Sequence, residues 1–198
     1  MPYTKLKWVL AIIMIFGLVL ATNLIDRKNF KGLKDSMVSI YEDRLVVKNI
    51  IYQLSDGVHQ KELALSRKDS SFFNNQVAAI NSQSQELIVK FEGTKLTKKE
   101  QATLNKFKES HQSLKSLEEN LWQSRSNQRD YAKLISRSKD ELDQLADIQM
   151  TEGKREFFHG KRRGDSIEFF TQIEIFVLII LAVLAQVIIL YSPKPKNK

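Results

Sequence analysis

Apolar residues along this chain fall into two uninterrupted runs and four periodic stripes. Trp8 to Ile25 contains no charge, and Ile175 to Tyr191 is interrupted only by Gln186. At 1.5 Å per residue each run covers roughly 26 Å of helix, close to the ~30 Å hydrocarbon core of a bilayer once the flanks are added. The pattern predicts membrane helices at 8–25 and 173–191. Between them lies a polar extracytoplasmic region, 26–172, with short tails at 1–7 and 192–198. Trp8 and Tyr191 stand where interfacial aromatic residues belong. A cleaved signal peptide ending near Val19-Leu20-Ala21 is the rival reading of the first run; either reading exports the middle region.

The middle region carries the stripes. The first runs through Phe30, Leu33, Met37, Ile40, Val47, Ile51, Leu54, Val58 and Leu65, in alternating steps of three and four. Arg44 and Lys61 fill two of its heptad slots. This is the spacing of one apolar helix face with a supercoiling period. Asp69, Ser70 and Ser71 offer helix N-caps, and Phe73, Val77, Ile80, Ser84, Leu87 and Phe91 follow. Gly93 suits a C′ position. Thr97-Lys98-Lys99-Glu100 reads as a capping box. Leu104, Phe107, His111, Leu114, Leu117 and Leu121 form the third stripe; Tyr131, Leu134, Ile135, Leu142, Leu145 and Ile148 form the fourth. Helices are expected at about 26–67, 70–92, 97–124 and 128–172. The fold class predicted is all-α: an antiparallel up-down-up-down four-helix bundle between two transmembrane helices. A single long helical hairpin is the alternative, and the turn signals at 69–71 and 93–97 oppose it. Gly153, Gly160 and Gly164 interrupt the fourth helix among several cations. They suggest either a loosely wound stem near lipid headgroups or a bendable joint.

Composition narrows the chemistry. The 198 residues include no cysteine, three histidines, seven glycines and three prolines. A disulfide framework, a thiolate metal site and a cysteine nucleophile are therefore excluded. No metal site, cofactor or enzyme signature is expected, since phosphate-binding loops, nucleophile elbows and HExxH are missing. Glu118-Glu119 and Asp140-Glu141 read as exposed helical faces. The net charge of +8 is split: residues 26–172 carry +4, and five lysines lie in the two tails. Short basic tails stay cytoplasmic, so both termini are placed inside and the bundle outside, in the periplasm of a bacterial inner-membrane protein. The basic residues then face away from nucleic acid.

Tyr41-Glu42-Asp43-Arg44-Leu45-Val46, with the Phe91-Glu92 and Leu96-Thr97 turn before Glu100, resembles the four-helix-bundle sensor domain of methyl-accepting chemotaxis proteins. That family follows the first run with proline and leucine, where this chain has Val47 and Lys48. The resemblance extends over about residues 1–191. It implies a homodimer and a small solute bound near the distal tip. It also implies a downstream linker and signalling coiled coil, for which only 192–198 remain. The expectation is a chemoreceptor-like sensor half that acts through an unidentified membrane or signalling partner.

Lys61, Arg67 and Arg129 in the matching tip region are the candidate ligand-binding residues, suited to a small carboxylate. A charge in the core slot of Lys61 needs a partner or a ligand; the alternative is a solvated tip with Lys61 snorkelling. Arg44 is expected to pair with a helix-four carboxylate, Asp143 or Asp147, or across a dimer seam. The competing function is a membrane-anchored helical scaffold or adaptor that senses nothing.

Overall fold

A computed structural model describes the backbone of residues 2–190 and the side chains of 13–184 and 186. Tyr191 and the tail 192–198 lie outside the described residues, as do the side chains of Lys5, Lys7 and Trp8. The described residues form helices joined by short turns, without strands: α1 (Pro2–Ser39), a π-helical segment (Ile40–Leu45), α2 (Val46–Ser66), α3 (Ser70–Asn75), α4 (Val77–Glu92), α5 (Lys98–Glu118) and α6 (Arg125–Leu190). The chain divides into two compact units, Met37–Phe157 and the combination of Met1–Ser36 with Phe158–Lys198.

In the first of these units, α2, α3 with α4, α5, and α6 contribute to one core. Val47, Ile51, Leu54 and Val58 of α2 are buried as the stripe requires, together with Ile88 and Phe91 of α4, Leu104, Phe107 and Leu114 of α5, and Tyr131, Ile135, Leu142 and Leu145 of α6. Each such side chain contributes about 1.5–3 kcal/mol on leaving water. The caps expected from sequence are present. The Asp69 side chain accepts from Phe72 N at 3.0 Å. Thr97 and Glu100 form the reciprocal box, with Glu100 Oε2 accepting Thr97 N at 2.5 Å and Thr97 Oγ1 accepting Glu100 N at 3.3 Å.

Several expectations are corrected. The second helix is broken at Gln76, whose φ of −115° leaves the helical range, so α3 and α4 are separate. The third ends at Glu118 and a turn precedes Arg125, because Leu121 N bonds only to Glu118 O and Gln123 N to Asn120 O. Gly93 caps α4 with φ −74°, so its conformation is one that any residue adopts. The first stripe slips at the π segment. There the hydrogen-bonded ring is one residue larger than in an α-helix, as in Val46 N–H to Tyr41 O. Upstream of it Ser36, not Met37, is buried.

In the other unit, α1 and α6 approach closely through small residues. A Cβ added to Gly160 would stand 3.4 Å from Ser36 Cβ and 3.5 Å from Leu33 Cδ1. Gly32 receives the Arg163 guanidinium on its carbonyl, and Asn23 Nδ2 donates to Glu174 Oε1 at 3.1 Å. Gly160 thus serves close packing rather than a bend. Among the described residues one helix, α6, has a stretch long and apolar enough to cross a membrane, none of it buried.

The α2 C-terminus shows what a sequence without glycine costs. Lys68 takes φ 54°, and its N–H bonds to Leu65 O at 3.1 Å while Asp69 N–H bonds to Ala64 O at 2.9 Å. These two bonds make a Schellman motif with lysine at the left-handed position, where glycine is favoured. Lys68→Gly removes about 1 kcal/mol of backbone strain and loses a smaller amount to chain entropy. It is expected to raise the melting temperature of the full chain in detergent; a lower one would contradict the assignment.

Candidate functional site

Two clusters of buried polar side chains interrupt the core, and both begin on the first stripe. Arg44 projects from the π segment and is buried. Its Nη1 donates to Glu100 Oε1 at 2.6 Å and to Gln149 Oε1 at 3.1 Å, while Gln149 Nε2 donates to the same Glu100 oxygen at 2.6 Å. Glu100 is 0% exposed. It therefore caps α5 with one oxygen and holds the arginine and the glutamine with the other. Asp43, the neighbour of Arg44, accepts from the Lys95 backbone N at 3.3 Å and from Ser39 Oγ at 2.9 Å. The Tyr-Glu-Asp-Arg-Leu run is thus fastened to the turn between α4 and α5. The expected partners Asp143 and Asp147 are not used, because the capping carboxylate of α5 reaches Arg44 first.

The second cluster surrounds Lys61, which follows Leu54 and Val58 on the buried face of α2 and is itself 2% exposed. Its Nζ lies 2.8 Å from Glu118 Oε1 and donates to Asn81 Oδ1 at 2.5 Å. Asn81 Nδ2 donates to Glu118 Oε2 at 2.6 Å, and Tyr131 OH donates to Glu118 Oε1 at 2.9 Å. Four residues from α2, α4, α5 and α6 close a ring around one ion pair. Phe73 stands edge-on to Tyr131 and Trp122, with ring centroids 5.7 and 5.8 Å away.

Burial sets the protonation chemistry. Desolvation pulls the Lys61 ammonium below its ordinary range, and the charge and hydrogen bond of Glu118 oppose that shift. The Tyr131 phenol is pushed up, first by burial and then by Glu118, and stays protonated as the donor of its hydrogen bond. His111 of α5, stacked on Phe107 at a centroid distance of 6.1 Å, is lowered to about 4 by burial and then by the Lys61 charge. It is neutral near pH 7.

A surface groove of about 680 Å³ opens beside this cluster, between α3, α4 and α5. Asn81, His111 and Glu118 line its inner side, and Ser82, Gln85 and Gln112 its outer side. Among the described residues no group of three acidic, histidine or cysteine side chains is placed to hold a metal ion.

The three residues proposed from sequence differ in burial, one inside the bundle and two on its surface. Lys61 is engaged internally with Glu118 and Asn81. Arg67 is the exposed C-cap of α2. Arg129 is exposed on α6, its Nε donating to Arg125 O at 3.5 Å. Glu118 and Glu141, expected on exposed faces, are buried; Glu119 and Asp140 are exposed as expected. Glu118 had a readable signal, since Leu114, Glu118 and Leu121 follow helical spacing. Asn81 and Gln149 had the same signal, Asn81 falling between Val77 and Ser84 and Gln149 after Leu142 and Leu145 at helical spacing.

A family model described as a four helix bundle sensory module for signal transduction matches residues 3–155. The chain belongs to this family. The sensory module so defined contains both polar clusters and the groove, and the resemblance seen in the Tyr-Glu-Asp-Arg-Leu run is a true family relationship. Neither the curated proteins nor the solved structures compared with the chain contain a match.

The depressed His111 pKa makes the module acid-sensitive. Unfolded histidine binds its proton near pH 6.5, whereas the folded ring does so only near pH 4. Stability contributed by the neutral ring is present above about pH 6.5 and is lost as pH falls toward 4, on the order of 3 kcal/mol at most. Thermal melting of the full chain at pH 7 and pH 5 is expected to show a smaller acid-induced drop in His111→Phe than in the parent. Equal drops would contradict the assignment.

Proposed function

We propose that this sensory module is the extracytoplasmic part of a membrane-anchored, dimeric signal-transduction protein that responds to a small solute or a protein partner and passes its state to other proteins. The observation that carries this reading is a row of exposed apolar side chains on the outward side of α1, the π segment and α2. Met37, Val38, Tyr41, Leu45, Val46 and Tyr52 are all exposed, Tyr52 by 72%. Monomeric soluble proteins rarely leave such a row uncovered, and its near-heptad spacing suits a second copy of the same helix.

Further features support the membrane and bundle readings. Ile13, Met14, Phe16, Leu20 and Leu24 of α1, and Ile175, Phe176, Ile179 and Val183 of α6, are exposed and apolar, as lipid-facing residues are. Contacts between bundle helices run in opposite residue order. Asn81 meets Glu118 while Glu92 meets Lys108; Arg44 meets Gln149 while Glu62 meets Lys139. That order favours an antiparallel up-down-up-down bundle, with α1 and α6 leading into two spans and both tails in the cytoplasm. Signalling would be a small displacement of α6 relative to α1. An anionic solute would find Arg67 and Arg129 on the exposed surface, whereas it would have to compete with Glu118 for Lys61.

The chain has no cysteine, so single cysteines test both claims at once. In intact bacterial cells, Met37→Cys and Tyr52→Cys are expected to react with a membrane-impermeant maleimide and, under mild oxidation, to give disulfide-linked dimers. Gln112→Cys, on α5, is expected to be labelled but not cross-linked. Failure of labelling would contradict the extracytoplasmic placement. Cross-linking at 112 as strong as at 52, or none at either 37 or 52, would contradict the dimer seam.

A further inference from the structure

The groove beside the Lys61 cluster has features that core packing does not require. Its inner wall is preorganised. The carboxylate of Glu118 is held by Lys61, Asn81 and Tyr131, so Asn81 is fixed in place and the buried charges cancel. His111 lines the same wall. It is 6% exposed, and its ring nitrogens have no hydrogen-bond partner among the described residues. The nitrogens are not among the fully buried unpartnered polar atoms of the bundle, so they open onto the groove, where water or a ligand can bond them. The neutral imidazole offers one N–H and one lone pair.

The outer wall repeats this two-way character. Asn74, Ser82, Gln85 and Gln112 each donate and accept, and Val77 with Ala78 provides an apolar strip. The rim charges, Glu86, Glu119 and Lys115, are exposed and nearly balanced. Water screens them, so they give a fully charged ligand little attraction. A hydroxyl group also donates and accepts at once, and a ring of C–H groups suits the Val77–Ala78 strip. The volume of about 680 Å³ falls in the range of small-molecule sites.

The geometry points to this groove as a binding site for a neutral polyhydroxylated solute, a sugar or polyol. The inference rests on the sensory reading and names a ligand class and a place for it, on the face formed by α3, α4 and α5. This place is distinct from the α1–α2 dimer seam and from Arg67 and Arg129.

The test uses the full chain in lipid nanodiscs with glucose, galactose, ribose, trehalose and glycerol as probes, and citrate and putrescine as charged counterparts. The readout is hydrogen exchange over residues 74–86 and 108–119. At least one neutral probe is expected to protect both segments saturably. Ser82→Trp fills the groove from an exposed position and is expected to abolish that protection. His111→Phe keeps the stack on Phe107 but removes both ring nitrogens, and is expected to weaken binding about tenfold, the effect of one lost hydrogen bond. The proposal is overturned if no neutral probe protects these segments at tens of millimolar. It is equally overturned if protection survives Ser82→Trp, or if citrate or putrescine protects the segments more strongly. Citrate protection confined to the surroundings of Arg67 and Arg129 would sink the groove site and leave the sensory reading standing.

Discussion

The structure of the bundle turns on one carboxylate. Glu100 has no contact with water, and removing such a charge from water costs several kcal/mol. The cost is offset only because three donors converge on it: the Thr97 backbone N–H, the Arg44 guanidinium and the Gln149 amide. Those donors come from the start of α5, the π segment and α6. The capping box is a local device that starts a helix. Here the same glutamate also receives a side chain from a stretch 56 residues earlier, so beginning α5 correctly and setting its register against α6 become one event. The π turn belongs to this arrangement, since Arg44 is directed at Glu100 while Val47 stays in the core. Arg44 Nε remains buried without an acceptor, so the guanidinium is not fully compensated and the node is finely balanced.

The Lys61–Glu118 ring repeats this logic nearer the α2–α3 turn. Buried ion pairs seldom add net stability compared with apolar residues of the same size, but removal of one partner is severe. Two such nodes in one slender bundle therefore fix register more than they add stability. A helix sliding by one residue would uncouple both. The ring also gives the α4–α5 groove a rigid inner wall, and the acid sensitivity of His111 arises from the same burial.

Much of this was readable from the residues. Spacing alone located the core positions of α2, α5 and α6; Asp69 and the Thr97–Glu100 box marked helix starts; the Tyr-Glu-Asp-Arg-Leu run identified the family. What could not be read depends on tertiary geometry. No residue in Ile40–Leu45 announces a π turn, so Met37 read as buried where Ser36 is. Gln76 is an ordinary helix former, and nothing in its neighbours announces the break between α3 and α4. Lys61 was recognisable as a charge needing a partner, but the pattern gave no means to decide between a ligand and Glu118. Glu118 looked solvated because it adjoins Glu119, although its spacing from Leu114 and Leu121 placed it inward. Arg67 and Arg129 were grouped with Lys61 by position along the chain, and the fold leaves them on the surface.

Hydrogen exchange on Arg44→Met in the full chain, followed separately in residues 40–45 and 98–101, tests the coupling at Glu100 most directly. An uncompensated buried carboxylate should cost about 3–5 kcal/mol. It should also loosen the first turn of α5 together with the π segment, and the additional change Glu100→Gln should recover part of the loss. Faster exchange confined to 40–45, with α5 unaffected and stability lowered by less than about 1 kcal/mol, would show that Glu100 caps its helix independently and that the bundle does not depend on the node.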